Sequence, residues 1–153
     1  MFDTHITVVG NLVDEPQLRT THSGTSYVTF RVGSTARRYD GENGRWVDGP
    51  RLFVSVKAWR AMADNIAASL HKGQPVVVTG RFYCREYIKD ETSRTIYEVD
   101  ADSIGHDLSR GVAEFTKLSR PYALTSVEVD GDGLPVGPDD ELDPLSAELT
   151  AVG

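Results

Sequence analysis

Between Gly80 and Ile88 the chain reads GRFYCREYI. In an extended strand every second residue shares a face, so Arg81, Tyr83, Arg85 and Tyr87 line one side. Phe82, Cys84 and Glu86 line the other. Guanidinium groups hold phosphate oxygens, and aromatic rings offer flat faces on which bases stack. A strand that alternates the two suits single-stranded nucleic acid. Each stacked base is worth about 1–3 kcal/mol, whatever its identity. The competing reading is a solvated strand face with ordinary cross-strand pairs.

A second cluster lies upstream. RRYDGENGRW supplies Arg37, Arg38, Tyr39, Arg45 and Trp46 in one short stretch. Exposed rings beside arginines cost solubility unless they bind something. Arg31, Arg51 and Lys57 sit on neighbouring predicted strands and extend the basic track. The stacking candidates are therefore Tyr39, Trp46, Tyr83 and Tyr87. The phosphate candidates are Arg31, Arg37, Arg38, Arg45, Arg81 and Arg85. Catalysis finds little support. His5, His22, His71 and His106 are scattered without metal-ligand spacing, and no cysteine accompanies them. The carboxylate pairs Asp40/Glu42 and Asp100/Asp102 read as solvated charge. No glycine-rich phosphate loop precedes a helix. Cys84 alternates with Tyr83 and Arg85, so it is expected to point into the body as a packed thiol. No enzyme activity, metal or cofactor is expected.

The elements that position these residues follow from period. Thr4–Leu12 alternates and reads as a strand, with Gly10 marking a bend. VDEPQLRTTHSGTS reads as a polar connection. Residues 27–34 form a second predicted strand, with Val28, Phe30 and Val32 facing inward. Arg37 to Pro50 reads as a long hairpin loop with Asp-Gly and Asn-Gly pairs. Residues 52–58 form a third strand. Trp59, Met62, Ala63, Ile66, Ala67 and Leu70 then recur at helical spacing, with Gly73 as the expected C-cap. Pro75 to Tyr87 is a fourth strand, 88–95 a polar hairpin loop, and 96–101 a fifth strand. Three strands, a helix and two strands match an all-β fold, the five-stranded OB-fold Greek-key barrel.

The bulk numbers set the frame. The chain has 153 residues and a net charge of −7. Residues 1–112 hold fourteen basic and fourteen acidic side chains, whereas residues 113–153 hold two and nine. A neutral body can still carry a basic face. The expected organisation is a barrel domain over 1–110, a possible extra strand over 111–118, and a flexible acidic tail over 119–153 rich in Pro and Gly. No apolar run is long enough to span a membrane, no secretion signal is visible, and a single cysteine fits a reducing compartment, so a cytoplasmic location is expected.

Four stretches in order resemble the bacterial single-stranded DNA-binding proteins: ITVVGNL (6–12), FRVGSTARRYD (30–40), AWRAMADNIAASLHKGQPVVVTGRF (58–82) and RTIYEVDADSI (94–104). Ala-Trp-Arg at the helix start resembles the actinobacterial branch. The resemblance implies an OB-fold, a homotetramer associated with the nucleoid, and wrapping of single-stranded DNA in replication, recombination or repair. It places a stacking ring at Tyr87 and another at Arg38 or Tyr39. Two further stacking positions fall on Leu52 and Ala58, with Phe53 and Trp59 facing away, which implies fewer platforms. The tail has PDDELDPL but lacks the acidic Pro-Phe tip through which family members recruit enzymes, as in a second paralogue. Residues 112–118 take the place of the branch's strand that hooks subunits together. The acidic tail is expected to compete with DNA for the basic track. The alternative keeps the fold and makes it a protein-interaction module with vestigial DNA binding, favoured by Leu52 and Ala58.

Overall fold

The computed structural model describes residues 2–119. It contains β1 (Thr4–Leu12), β2 (Gln17–Thr20), β3 (Ser26–Asp40), β4 (Arg45–Trp59), α1 (Ala61–Ser69), β5 (Pro75–Lys89) and β6 (Thr92–His106). The sheet order is β1-β5-β6-β4-β3-β2, and β1 also pairs with β3. That last pairing, Asn11 with Gly33 and Leu12 with Val32, closes β1, β3, β4, β6 and β5 into a ring. One contact in the ring is parallel: Ser55, Val56 and Lys57 of β4 run beside Glu98, Val99 and Asp100 of β6. This is the expected five-stranded barrel, with β2 added on the edge of β3.

The interior is mainly valine. Val28, Val32, Val54, Val56, Val76, Val78 and Val99 are fully buried, joined by Val8, Leu12, Phe30 and Ala58. β-branched residues suit a pleated surface that must fill a narrow barrel. α1 closes one end by burying Ala63 and Ile66, with Leu70 buried just past its last turn. Gly10 is required where β1 leaves β5 for β3, because a Cβ there would collide with the Gly33 carbonyl. Gly80 plays the same part in β5, where a Cβ would strike the Asp100 carbonyl beside a register shift at Thr79/Gly80.

Several boundaries differ from the sequence reading. The connection after β1 contains β2, so the helix lies between the fourth and fifth strands. Trp59 ends β4 and is not part of the helix. The helix is capped by Leu70 in an extended conformation, whose N–H donates to the Ile66 carbonyl. Gly73 instead supplies a positive φ of 88° in the following turn, and its N–H donates to the Leu12 carbonyl. Arg37 to Pro50 is not a loop. The β3–β4 ladder continues to Asp40 opposite Arg45, leaving a four-residue turn. Residues 88–95 are likewise ladder as far as Lys89 opposite Thr92, around a two-residue turn in which Asp90 and Glu91 both take positive φ. Both ribbons project beyond the barrel, exposed on both faces, so neither carries the apolar alternation that marks a half-buried strand.

The described residues up to Ala113 belong to one compact unit, and Glu114 to Ser119 lie outside it. Residues 112–118 are exposed and form no ladder with the other described residues. The acidic tail from residue 120 lies outside the described residues.

Candidate nucleic-acid interface

The exterior of β5, β6, β4 and β3 forms one surface. Strand alternation puts Arg81, Tyr83, Arg85 and Tyr87 on it together, opposite Phe82, which packs against the core. Their cross-strand partners on β6 are Asp100, Glu98, Ile96 and Arg94 in that order. On β4 and β3, the core residues Val54, Val56, Ala58, Val28, Phe30 and Val32 leave Phe53, Ser55, Lys57, Trp59, Tyr27, Thr29 and Arg31 outside.

This placement moves the stacking register by one residue. Ala58 is fully buried, whereas Phe53 is 50% exposed and Trp59 42% exposed. The expectation that Leu52 and Ala58 face outward and Phe53 and Trp59 inward is therefore corrected at Ala58, Phe53 and Trp59. Leu52 is partly exposed, but it is not a ring. The surface carries more platforms than the sequence reading allowed. Trp59 lies against Tyr27 with ring centroids 5.3 Å apart and planes tilted by 32°. A shallow recess of about 470 Å³ beside them is lined by Thr20, Thr21, His22, Tyr27, Lys57 and Trp59. The signal was present in the sequence: Trp59 is odd-numbered on a strand whose even-numbered residues 54, 56 and 58 are small and apolar.

At the far end, Tyr39 and Trp46 are cross-strand partners on the β3–β4 ribbon. Their rings meet edge to face at 5.6 Å, and both are more than half exposed. A register shift between Thr35 and Arg37 lets the two-stranded ribbon turn while keeping Arg37 on the side of Tyr39 and Trp46. Arg38 and Arg45 alternate to the other side of the ribbon, so these two phosphate candidates do not join the rest. Tyr87, opposite Arg94, extends the surface along the β5–β6 ribbon. Cys84 is exposed, not packed, because β5 has already left the barrel at that point.

The cations do not stand alone. Arg31 donates twice to Asp14, at 2.8 and 2.9 Å. Arg37 and Arg51 share Asp48 at 3.7 and 3.5 Å. Arg81 donates to Asp100 at 2.7 Å. Arg85 donates to Glu98 at 3.0 Å, and Lys57 approaches the same carboxylate at 3.8 Å. Glu98 is only 4% exposed although it lies outside the barrel. The hydrogen bond from Arg31 holds the Asp14 carboxyl below its ordinary range. Tyr83 is covered in part by Arg81, whose guanidinium carbon stands 5.9 Å from the ring centre, and its hydroxyl donates to Asp100 at 3.4 Å. Burial, reinforced by the carboxylates of Asp100 and Glu98, pushes the Tyr83 phenol up to about 12. These carboxylates are the part that the sequence reading missed. The surface can thus offer stacking rings and prearranged cations to a flexible chain of phosphates. No cluster of metal-binding side chains occurs among the described residues.

Comparison with known proteins agrees with this geometry. Residues 3–107 match the single-strand binding protein family. The single-stranded DNA-binding protein 2 of Streptomyces coelicolor is 47% identical over 118 residues, which cover 76% of this chain and 59% of that protein. The single-stranded DNA-binding protein of Mycobacterium leprae is 45% identical over 119 residues, covering 77% of this chain and 71% of that one. The chain spans a little over half the length of some of these relatives, 53% for the single-stranded DNA-binding protein of Corynebacterium glutamicum. Among solved structures, the small single-stranded DNA-binding protein of S. coelicolor superposes with a TM-score of 0.67 at 42% identity, covering 72% of this chain and all of that one. The second such protein of Mycobacterium smegmatis gives 0.57 at 34% identity, covering 76% of this chain and all of that one. A family defined by binding places the chain among binding proteins rather than enzymes. With its OB-fold barrel and its ring-bearing exterior sheet, the chain belongs to the single-strand binding protein family.

Proposed function

We propose that the chain binds single-stranded DNA without sequence preference. Bases stack on Tyr87, Phe53, Trp59 and the Tyr39–Trp46 pair, and phosphates meet Arg31, Arg37, Arg81 and Arg85. Tyr83 contributes its ring edge, and Arg38 and Arg45 serve strand that passes behind the ribbon. The carrying observation is that exposed rings and clustered arginines share the exterior of β3, β4, β6 and β5. Rings supply sequence-tolerant affinity, and cations supply the salt-dependent part.

The working unit is a homotetramer, in which residues 112–118 hook one subunit to another. Three observations support the hook: the segment is outside every ladder among the described residues, Val112 and Phe115 are almost wholly exposed, and Leu118 is exposed after them. Its role is to cover bare strands in replication, recombination or repair, in the cytoplasm at the nucleoid. Recruitment of other enzymes is not part of the proposal.

A fluorescence titration with oligo-dT at two salt concentrations tests the reading. Quenching of tryptophan emission with tight, salt-sensitive binding is expected, weakened about 5- to 150-fold by Tyr87→Ala or Trp59→Ala, as about 1–3 kcal/mol of lost stacking implies. Absence of binding at low salt sinks it. The protein-interaction alternative loses its main support, since Ala58 is in the core and presents nothing to a partner.

A further inference from the structure

Six cations on the exterior sheet, Arg31, Arg37, Arg51, Lys57, Arg81 and Arg85, share four carboxylates, Asp14, Asp48, Glu98 and Asp100. The carboxylates come from different places: the connection after β1, the β4 ribbon, and two positions of β6. One structural staple explains one such pair. It does not explain why four acids from three segments all meet cations on the face that also carries the rings. Arg38 and Arg45, on the opposite side of the ribbon, make no ion pair among the described residues.

A surface built only to hold phosphate needs no acids on it. Each carboxylate cancels most of the long-range pull of its cation while holding that cation in place, still partly exposed. Such a surface offers little to a polyanion that brings phosphates alone. Duplex DNA is that ligand: its base faces are stacked on one another, out of reach of Trp59 or Tyr87. A single strand brings base faces as well, and stacking does not depend on net charge.

We infer that Asp48, Glu98 and Asp100 are specificity-determining residues that make binding depend on stacking, so that the surface selects single strands over duplex DNA. The inference rests on the proposed function. Removing a carboxylate's charge leaves the rings in place and frees a cation for any phosphate chain. Duplex affinity rises more than single-strand affinity, because a duplex releases more counterion per neutralised phosphate than a single strand does.

The test compares binding of oligo-dT with a blunt duplex of equal length, for the full chain and for Asp48→Asn, Asp100→Asn and their combination. Both aspartates are partly exposed, so these variants fold. Glu98→Gln is measured beside them with its melting temperature, since its carboxylate is buried. One freed phosphate-binding cation changes duplex affinity by about 3-fold between 50 and 200 mM salt. The double variant is therefore expected to lose about tenfold more duplex affinity over that range than the parent. A single strand has the shallower salt exponent, about 0.7 against 0.9 per contact, so the duplex-to-single-strand affinity ratio of the double variant at 50 mM salt is expected to rise by about 3-fold. A ratio and a salt slope unchanged from the parent overturn the inference, as does an equal rise for both ligands. If the parent itself fails to bind oligo-dT, the proposed function fails instead, and the two failures are read from different measurements.

Discussion

Ala58 and Trp59 are adjacent, yet one is wholly inside the barrel and the other offers an indole to solvent. That parity was legible in the Val-x-Val-x-Ala run, but a helical reading of Trp59 competed with it and hid a ring that belongs to the interface. The acids were harder to read. Glu98 and Asp100 look like ordinary wet-face charge until the antiparallel register sets them across from Tyr83 and Arg81. Tyr83 turns that arrangement into a measurable signature. Its phenol lies at about 12 rather than the usual 10.0. A folded value raised above the unfolded one means that the group's stabilising contribution is complete below about pH 10 and is lost as pH rises through 12. Spectrophotometric titration should therefore show Tyr83 among the last tyrosines to ionise, a step absent from Tyr83→Phe. Coincident ionisation of all six tyrosines would falsify the partly buried, carboxylate-faced environment of Tyr83.

Barrel strands and ribbon strands obey different rules, and only the first were visible in sequence. β1, the inner half of β3 and the Val76–Val78 stretch of β5 alternate because one side is packed. The ribbons of residues 35–51 and 84–97 are polar and wet on both faces, and their ladders are long-range facts. Even the turn at Asp90-Glu91 gives no glycine cue, although both residues hold positive φ, at 52° and 62°. A non-glycine residue in that region costs about 1–2 kcal/mol. Glu91→Gly is expected to slow amide exchange along residues 85–95 by roughly 5- to 10-fold, as about 1 kcal/mol of relieved strain requires; faster exchange would count against a two-residue turn. At the other end of the fold, Gly10→Ala places a methyl group against the Gly33 carbonyl where β1 changes partners. A loss of about 1–3 kcal/mol in denaturant unfolding is expected, as for other overpacked sites.

Over the whole molecule, charge is segregated: the barrel with its ribbons is neutral in sum, and the negative excess belongs to residues 113–153. If the acidic tail competes for the arginine surface, a chain ending at Ser119 should bind oligo-dT more tightly at low salt, with the gain fading as salt rises. Equal affinities for the two chains at low salt would remove the tail from the binding equilibrium. The fold class was legible because period and element order suffice for it. The ring closure was not, since it depends on three strand pairings between segments far apart in the chain. That closure also has an order in time. β6 is the last of the described strands to be made, and it lies between β4 and β5. Until it arrives, the hairpin of β3 with β4 and the pairing of β1 with β5 each present an open edge to other chains. A nascent or truncated polypeptide that stops short of Thr92 is consequently an aggregation hazard, and the segment from Thr92 to His106 acts as the keystone whose synthesis ends it.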